Sequence, residues 1–359
     1  MSKLFMKGNE AIAEAAVRGG CRFFAGYPIT PQNEIPEYLS KRLPETGGVF
    51  VQAESELAAI NMVVGAAFGG TRAMTSSSGP GLSLKSEGIS TLAAAGFPAV
   101  IINMMRGGPG TGSIQGAQMD YLQMTRGGGH GGYRLPVFAP ASVQEAVDLV
   151  YQAFDKAWEY KTPCLVIADG FIGAVMEPVE LPPMKEVARE EFPVYTTPFI
   201  DPENPKRRAC ATMIVNEADH EKWNIVQAEK YERMKVNEVR VEEYQLEDAE
   251  YVIAAYGTSA RIAKTAIKLL RAKGIKVGLI RPITVWPYPY ESFRKLDSKQ
   301  VKGVLCLELS IPAQMVEDVE LGLQGRIPVR THGRAAGMTF TAEDVCDLIE
   351  EMASDGQGR

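Results

Sequence analysis

Apolar residues along this chain keep two rhythms. Short runs of aliphatic, β-branched and aromatic residues occur at 21–26 (CRFFAG), 48–52 (GVFVQ), 71–76 (TRAMTS), 98–104 (PAVIINM) and 163–168 (PCLVIA). Longer stretches rich in small residues at helical spacing lie at 9–18, 55–69, 82–95 and 142–159. The short runs predict buried strands and the longer stretches predict helices. Strands buried on both sides and separated by helices imply a parallel sheet covered on both faces. The opening LFMKG adds a short strand ahead of the first helix.

The rhythm stops near Pro182-Pro183 and resumes near residue 249. Runs at 250–256 (EYVIAAY), 276–282 (KVGLIRP) and 303–308 (GVLCLE) predict three further parallel strands. A helix opens at Gly257-Thr258-Ser259 and Gly274 stops it; others are expected over 313–323 and from Thr341 onward. The expected organisation is an α/β domain over 1–183 and a smaller α/β domain over 249–353. The intervening 184–248 mixes charges with prolines and lacks regular apolar periodicity, yet holds Phe192, Tyr195, Phe199, Trp223 and Tyr231. That content predicts an extended segment wrapped on a domain or partner surface rather than a disordered linker.

Charge changes the picture by exclusion. A net charge of −6 with no Lys/Arg block argues against a nucleic-acid surface. The first twenty residues carry charges that break any secretory apolar core, and no 18-residue apolar span occurs elsewhere, so no membrane span and a cytoplasmic location are expected. The five cysteines, at 21, 164, 210, 306 and 346, form no C-x-x-C pair and are read as reduced thiols, so no metal cluster is expected in this chain.

Ligands of open parallel sheets bind outside the carboxyl ends of the strands. Four such ends carry candidate chemistry. After 21–26 comes Tyr27-Pro28-Ile29-Thr30-Pro31, where proline fixes its own φ and biases the residue before it, holding the Thr30 hydroxyl in place. The same stiffness would also serve a rigid connection with no ligand. After 48–52 comes QAESELAA: Glu54 and Glu56 are two residues apart, so on a helix only one can face a given site. After 71–76 comes TSSSGPG, where Ser78, Gly79 and Pro80 open a helix and Gly79-Pro80-Gly81 lets backbone approach a ligand; it is neither a nucleophile elbow nor a P-loop. After 98–104 comes a long loop with Arg106, placed for an anion, and with Arg126 and His130 deeper in its glycine clusters, where solvated loop positions are the alternative.

GYPITP, AESELAAINMVVGAA, TSSSGPGLSLKSEGIS, MRGGPGTG and LIRPITVWPYP, in that order, resemble the alpha subunit of 2-oxoacid:ferredoxin oxidoreductases over roughly 1–180 and 249–352. The resemblance implies a thiamine diphosphate pyrimidine-binding domain followed by a transketolase-C-terminal-like domain. It implies a partner beta subunit carrying the diphosphate and Mg2+ site and a 4Fe–4S cluster, with gamma and ferredoxin-like delta subunits, ferredoxin and coenzyme A as further partners. Ala168-Asp169-Gly170 lacks the glycine of the diphosphate motif, so the metal site is not expected here.

By the same resemblance Glu56 matches the glutamate that hydrogen-bonds N1′ of the aminopyrimidine and so favours its imino tautomer. Tyr27, Pro28, Ile29 and Thr30, together with Arg106, match substrate-binding positions, and Ser78, Gly79 and Pro80 match cofactor-binding ones. The implied reaction is oxidative decarboxylation of a 2-oxoacid with coenzyme A to acyl-CoA, carbon dioxide and reduced ferredoxin. GSIQG at 112–116 departs from the Thr-Lys-Thr-Glu-Gln run of the 2-oxoglutarate type and puts branched-chain 2-oxoisovalerate ahead of 2-oxoglutarate or pyruvate. A non-catalytic scaffold homologue and a transketolase-like or decarboxylase half are the competing readings.

Overall fold

The computed structural model describes residues 3–186 and 212–356, with side chains to 354. In chain order the first part runs β1 (Leu4–Lys7), α1 (Gly8–Arg18), β2 (Phe23–Gly26), α2 (Glu34–Glu45), β3 (Val49–Gln52), α3 (Glu56–Phe68), β4 (Ala73–Ser77), α4 (Pro80–Ala95), β5 (Ala99–Gly107), β6 (Ser113–Gly116), α5 (Tyr121–Arg126), β7 (Val137–Phe138), α6 (Val143–Tyr160), β8 (Cys164–Asp169), α7 (Gly170–Ala174) and β9 (Met176–Val179). The rest runs α8 (Glu217–Asn237), β10 (Val241–Tyr244), β11 (Tyr251–Ala254), α9 (Gly257–Ala272), β12 (Val277–Pro282), β13 (Thr284–Trp286), α10 (Tyr290–Arg294), β14 (Gly303–Glu308), α11 (Val316–Leu323), β15 (Val329–Gly333) and α12 (Ala342–Gly356).

The expected parallel α/β architecture is present twice. The first sheet orders its strands β13-β7-β8-β5-β4-β2-β3, all parallel except β13, and β6 adds to β5 antiparallel off this order. The second orders them β10-β12-β11-β14-β15, all parallel except β10. β1 pairs with β9 as a separate ribbon.

In the first sheet β2 has β3 on one side and β4 on the other, so the chain changes direction at β2. The helices divide accordingly: α1, α2 and α6 bury Ile12, Leu39 and Val147 in one apolar core, whereas α3 and α4 bury Ile60, Val63 and Leu82 in the other. Where consecutive connections leave to opposite faces, a crevice opens at the carboxyl ends of the strands. The loops after β2 and β4 flank that crevice.

The extended course expected over 184–248 is replaced, in its described part, by a 21-residue helix and an edge strand. α8 buries Gln227, Lys230 and Met234, spaced three and four residues apart, and Trp223 is partly covered. Two of the three buried positions are polar, so the helix leaves little apolar signature. Phe192, Tyr195 and Phe199 lie outside the described residues.

The two sheets are locked by polar groups. Gln118 donates to the Tyr256 carbonyl at 2.9 Å and accepts from Ser259 at 2.7 Å and from the Leu309 amide at 2.9 Å. Asp169 accepts from the Ile172 amide at 3.2 Å and from the Thr258 hydroxyl at 2.7 Å and amide at 3.0 Å, so one carboxylate serves the starts of α7 and α9. Burial raises its pKa, and these donors oppose the rise. That use accounts for Asp169 without a metal. The second unit also lends β13 to the edge of the first sheet, Thr284 pairing opposite Phe138.

Candidate functional site

Glu56 is the first residue of α3, whose cap is Ser55 accepting the Ala58 amide at 3.1 Å. Glu54 is exposed and Glu56 is buried, so the two-residue spacing resolves as expected, with one carboxylate turned inward. α3 and α4 approach closely because α4 is glycine at the contact. A Cβ built on Gly81 would lie 2.7 Å from Glu56 Oε1 and 2.1 Å from Ser77 Oγ, and one on Gly88 would lie 2.5 Å from Ile60. Any larger residue at 81 would drive into the carboxylate.

Gly79 holds φ +43° and ψ −112° as it caps α4, and Pro80 occupies the first turn. A Cβ there would meet the Arg106 side chain at 3.4 Å. Arg106, at the end of β5, is buried; it donates to the Thr30 carbonyl and to the Thr111 carbonyl, each at 2.8 Å. Its guanidinium therefore ties the YPITP loop to the RGGPGTG loop. The Thr30 hydroxyl is exposed and accepts only a long contact from Asn33, at 3.4 Å. Tyr27 and Pro28 are exposed on the same rim, and Ile29 is partly covered.

Several residues of this crevice escaped the sequence reading. Gln32 is fully buried and accepts a hydrogen bond from the Ser76 hydroxyl, while its amide reaches back to the Tyr27 carbonyl at 3.4 Å. Asp120 accepts from Asn103 at 3.0 Å and from the Gly79 amide. Burial raises the pKa of Asp120, against those donors and Arg106. Lys85 is fully buried on α4 and donates to the Thr75 hydroxyl at 3.0 Å; burial lowers its pKa to about 8, and Glu56 acts in the other direction. Lys85 had a signal: it is the one basic residue of its helix, in phase with Gly81 and Gly88. Gln32 and Asp120 had none.

Arg126 and His130 are not in the crevice. Arg126 pairs with Asp318 at 3.0 Å, and His130 is exposed while its carbonyl accepts from Ser90.

The crevice has room for hydrogen bonds that the protein does not fill. Ser77 Oγ, Ser78 Oγ and Arg106 Nε are buried without partners among the described residues. The Glu56 carboxylate, 6% exposed, lies beside Ser77 Oγ at the Gly81 contact. Buried polar groups are normally paired, so a cluster of unpaired ones at a strand-end crevice fits a polar ligand. Among the described residues no group of His, Cys, Asp and Glu is arranged for a metal, and the four described cysteines are free and buried. No described helix is long and apolar enough to cross a membrane.

Comparison with known proteins gives a consistent picture. Residues 14–242 match the family model described as pyruvate flavodoxin/ferredoxin oxidoreductase, thiamine diphosphate-binding, and residues 249–345 match pyruvate:ferredoxin oxidoreductase core domain II. The chain is 44% identical to the ketoisovalerate oxidoreductase subunit VorB of Methanothermobacter thermautotrophicus, over 99% of each chain. It is 37% identical to the 2-oxoglutarate synthase subunit KorA of Methanocaldococcus jannaschii, over 83% of this chain and 86% of that one. Among solved structures, the 2-oxoglutarate:ferredoxin oxidoreductase from Magnetococcus marinus superposes with a TM-score of 0.84 at 25% identity, covering 98% of this chain and 65% of that one. A split-gene transketolase shares the fold alone, with a TM-score of 0.60 at 16% identity over 97% of this chain and 98% of that one. The sequence resemblance and the doubled parallel α/β architecture thus meet in one conclusion: the chain belongs to the pyruvate flavodoxin/ferredoxin oxidoreductase family, and it carries the thiamine diphosphate-binding domain followed by core domain II.

Proposed function

We propose that this chain is the alpha subunit of a thiamine-dependent 2-oxoacid:ferredoxin oxidoreductase. The complex converts a branched-chain 2-oxoacid, 2-oxoisovalerate in this reading, and coenzyme A to acyl-CoA, carbon dioxide and reduced ferredoxin. The observation that carries the reading is the buried Glu56 carboxylate, pressed against Gly81 beside the Ser77 and Ser78 hydroxyls, which have no partner among the described residues. A buried carboxylate is costly unless donors meet it, and the protonated ring nitrogen of an aminopyrimidine is such a donor.

In this reading Glu56 holds the pyrimidine ring and stabilises a proton at its N1′, while Ser78, Gly79 and Pro80 border the ring. When bound, thiamine diphosphate supplies a nucleophilic carbon and an electron sink. Arg106 and Thr30 face the substrate carboxylate: two N–H groups of Arg106 already hold backbone carbonyls, which fixes the guanidinium, and its Nε remains free. A guanidinium fixed beforehand orients a carboxylate at little cost in ordering. Tyr27, Pro28 and Ile29 form the rim through which substrate enters.

The site is half of one. α3 is apolar or small nearly all round, yet Leu57 and Met62 on it and Leu84 on α4 are exposed. A helix of that composition is normally covered on every side. We assign that face to a beta subunit that brings the diphosphate and Mg2+ site and a 4Fe–4S cluster, with gamma and delta subunits passing electrons to ferredoxin in the cytoplasm. The domain limits in this reading are 1–183 and 249–353.

The 44% identity to a ketoisovalerate oxidoreductase subunit, against 37% to a 2-oxoglutarate synthase subunit, favours a branched-chain substrate. The Magnetococcus structure, which holds 2-oxoglutarate, coenzyme A and succinyl-CoA, keeps 2-oxoglutarate as the second reading. The test is co-purification with the native partners and assay of a 2-oxoacid panel with coenzyme A and a viologen dye. Viologen reduction with 2-oxoisovalerate is expected; none with any 2-oxoacid would overturn the assignment, and full turnover by Glu56→Ala would favour a scaffold.

A further inference from the structure

Lys85 is completely buried, and the chemistry proposed above makes no use of it. On α4 it follows Gly81 by four residues and precedes Gly88 by three, so all three share one helix face. Both glycines touch α3, at Glu56 and at Ile60. Lys85 therefore lies in the α3–α4 seam, one turn along from the contact with the Glu56 carboxylate. From β4 it meets the Thr75 hydroxyl at 3.0 Å, which in turn donates to the Ala25 carbonyl of β2 at 2.7 Å. Among the described residues Glu56 is the one charged group acting on it.

An ammonium satisfied by one neutral hydroxyl is expensive to bury. Methionine would fill the same space without that cost. Gly81, on the same helix face one turn away, lies against the Glu56 carboxylate, and opposite charges that close in a dry seam attract. The two buried charges explain each other.

We propose that Lys85 is a positioning residue for Glu56: its buried ammonium, one helical turn from the contact with Glu56, attracts that carboxylate and holds it at the α3–α4 seam, where it meets thiamine diphosphate as a hydrogen-bond acceptor. The proposal rests on the assignment of Glu56 to the aminopyrimidine. It predicts that cofactor affinity follows the charge on Lys85, whose burial brings its loss of charge down to about pH 8.

The test is calorimetric titration of thiamine diphosphate, at saturating Mg2+, into the assembled complex stripped of cofactor, from pH 7 to pH 10. Wild type is expected to lose affinity about tenfold as Lys85 deprotonates, a factor of ten corresponding to one pKa unit of coupling. Lys85→Met is expected to bind about tenfold more weakly at pH 7, with a flat profile above it. Lys85→Arg is expected to keep the affinity and lose the fall. A Lys85→Met profile superimposable on wild type overturns the proposal, as does a Lys85→Arg profile that still falls near pH 8, and the arginine variant decides if the methionine variant does not assemble. Glu56→Gln separates the two levels: unchanged affinity in that variant removes the Glu56 assignment itself, whereas weakened affinity beside an unaltered Lys85→Met profile removes only the role of Lys85.

Discussion

Gly81 and Glu56 meet across two helices so closely that a single methyl group on the glycine would stand 2.7 Å from the glutamate oxygen. In an exposed helix interior, replacing glycine with alanine stabilises by roughly 1 kcal/mol. Here the added carbon collides with Ser77 Oγ and Glu56 Oε1 instead. Gly81→Ala is therefore expected to displace both groups and weaken thiamine diphosphate binding at least about tenfold, the cost of losing one charge-assisted hydrogen bond. Calorimetric titration of the assembled complex measures it, and wild-type affinity would separate Glu56 from the cofactor.

A second prediction concerns the joint between the two sheets. Asp318 of α11 is fully buried and accepts hydrogen bonds from Tyr121 at 2.6 Å, Tyr290 at 2.5 Å and Arg126 at 3.0 Å. Asp318→Ala strands two phenols and a guanidinium and should cost about 3–5 kcal/mol. Arg126→Met leaves the carboxylate two donors and should cost about 1–3 kcal/mol. Denaturant unfolding of both variants and of the double mutant should show strong non-additivity; simple addition would mean that the pair does not couple.

How much of this was legible beforehand follows from what each segment buries. The β2, β5 and β8 runs are buried strands that open on near-continuous apolar residues, so the sequence states them outright, whereas β4 is buried through Thr75, Ser76 and Ser77 as well as Ala73 and Met74. α8 was missed because its buried stripe is Gln227, Lys230 and Met234, which reads as polar. β13 was missed because it is three residues long and its pairing lies with β7, far back in the chain. In the crevice, Glu56 and Arg106 stood out by residue type at strand ends. Gln32 and Asp120 act on backbone and side chains distant in sequence, and such relationships exist only after folding.

Glu308 gives a prediction in pH. It ends β14, fully buried, and accepts from the Gln314 and Met315 amides and from Tyr256. Burial raises its pKa from 4.5 to about 7 despite those donors. A folded-state pKa above the unfolded one means that the folded chain binds the extra proton between those values, so this group's contribution is full below about pH 4.5 and is lost as pH rises through about 7. Glu308→Gln keeps an acceptor for the two amides and removes the ionisation. It should flatten that part of the stability curve and gain up to about 3 kcal/mol at pH 8. Denaturant midpoints of both proteins from pH 5 to pH 8 test this; parallel curves would rule it out.

Lys85 carries the opposite sign and a conflict between stability and function. Its folded-state pKa lies below the unfolded value, about 8 against 10.5, so between these pH values the unfolded chain binds more protons and stability rises with pH. Below about pH 8 the folded chain bears the full cost of a dry ammonium, some 3 kcal/mol for a displacement of this size. Lys85→Met should accordingly unfold at higher denaturant than wild type at pH 7, and the two midpoints should converge as pH approaches 10. A residue whose removal strengthens the fold while weakening cofactor binding is one retained for the site, in keeping with the general tension between stability and activity at functional positions. If the methionine variant were less stable than wild type at pH 7, the ammonium would be contributing to packing of the α3–α4 seam in its own right, and the argument for its cost would fail.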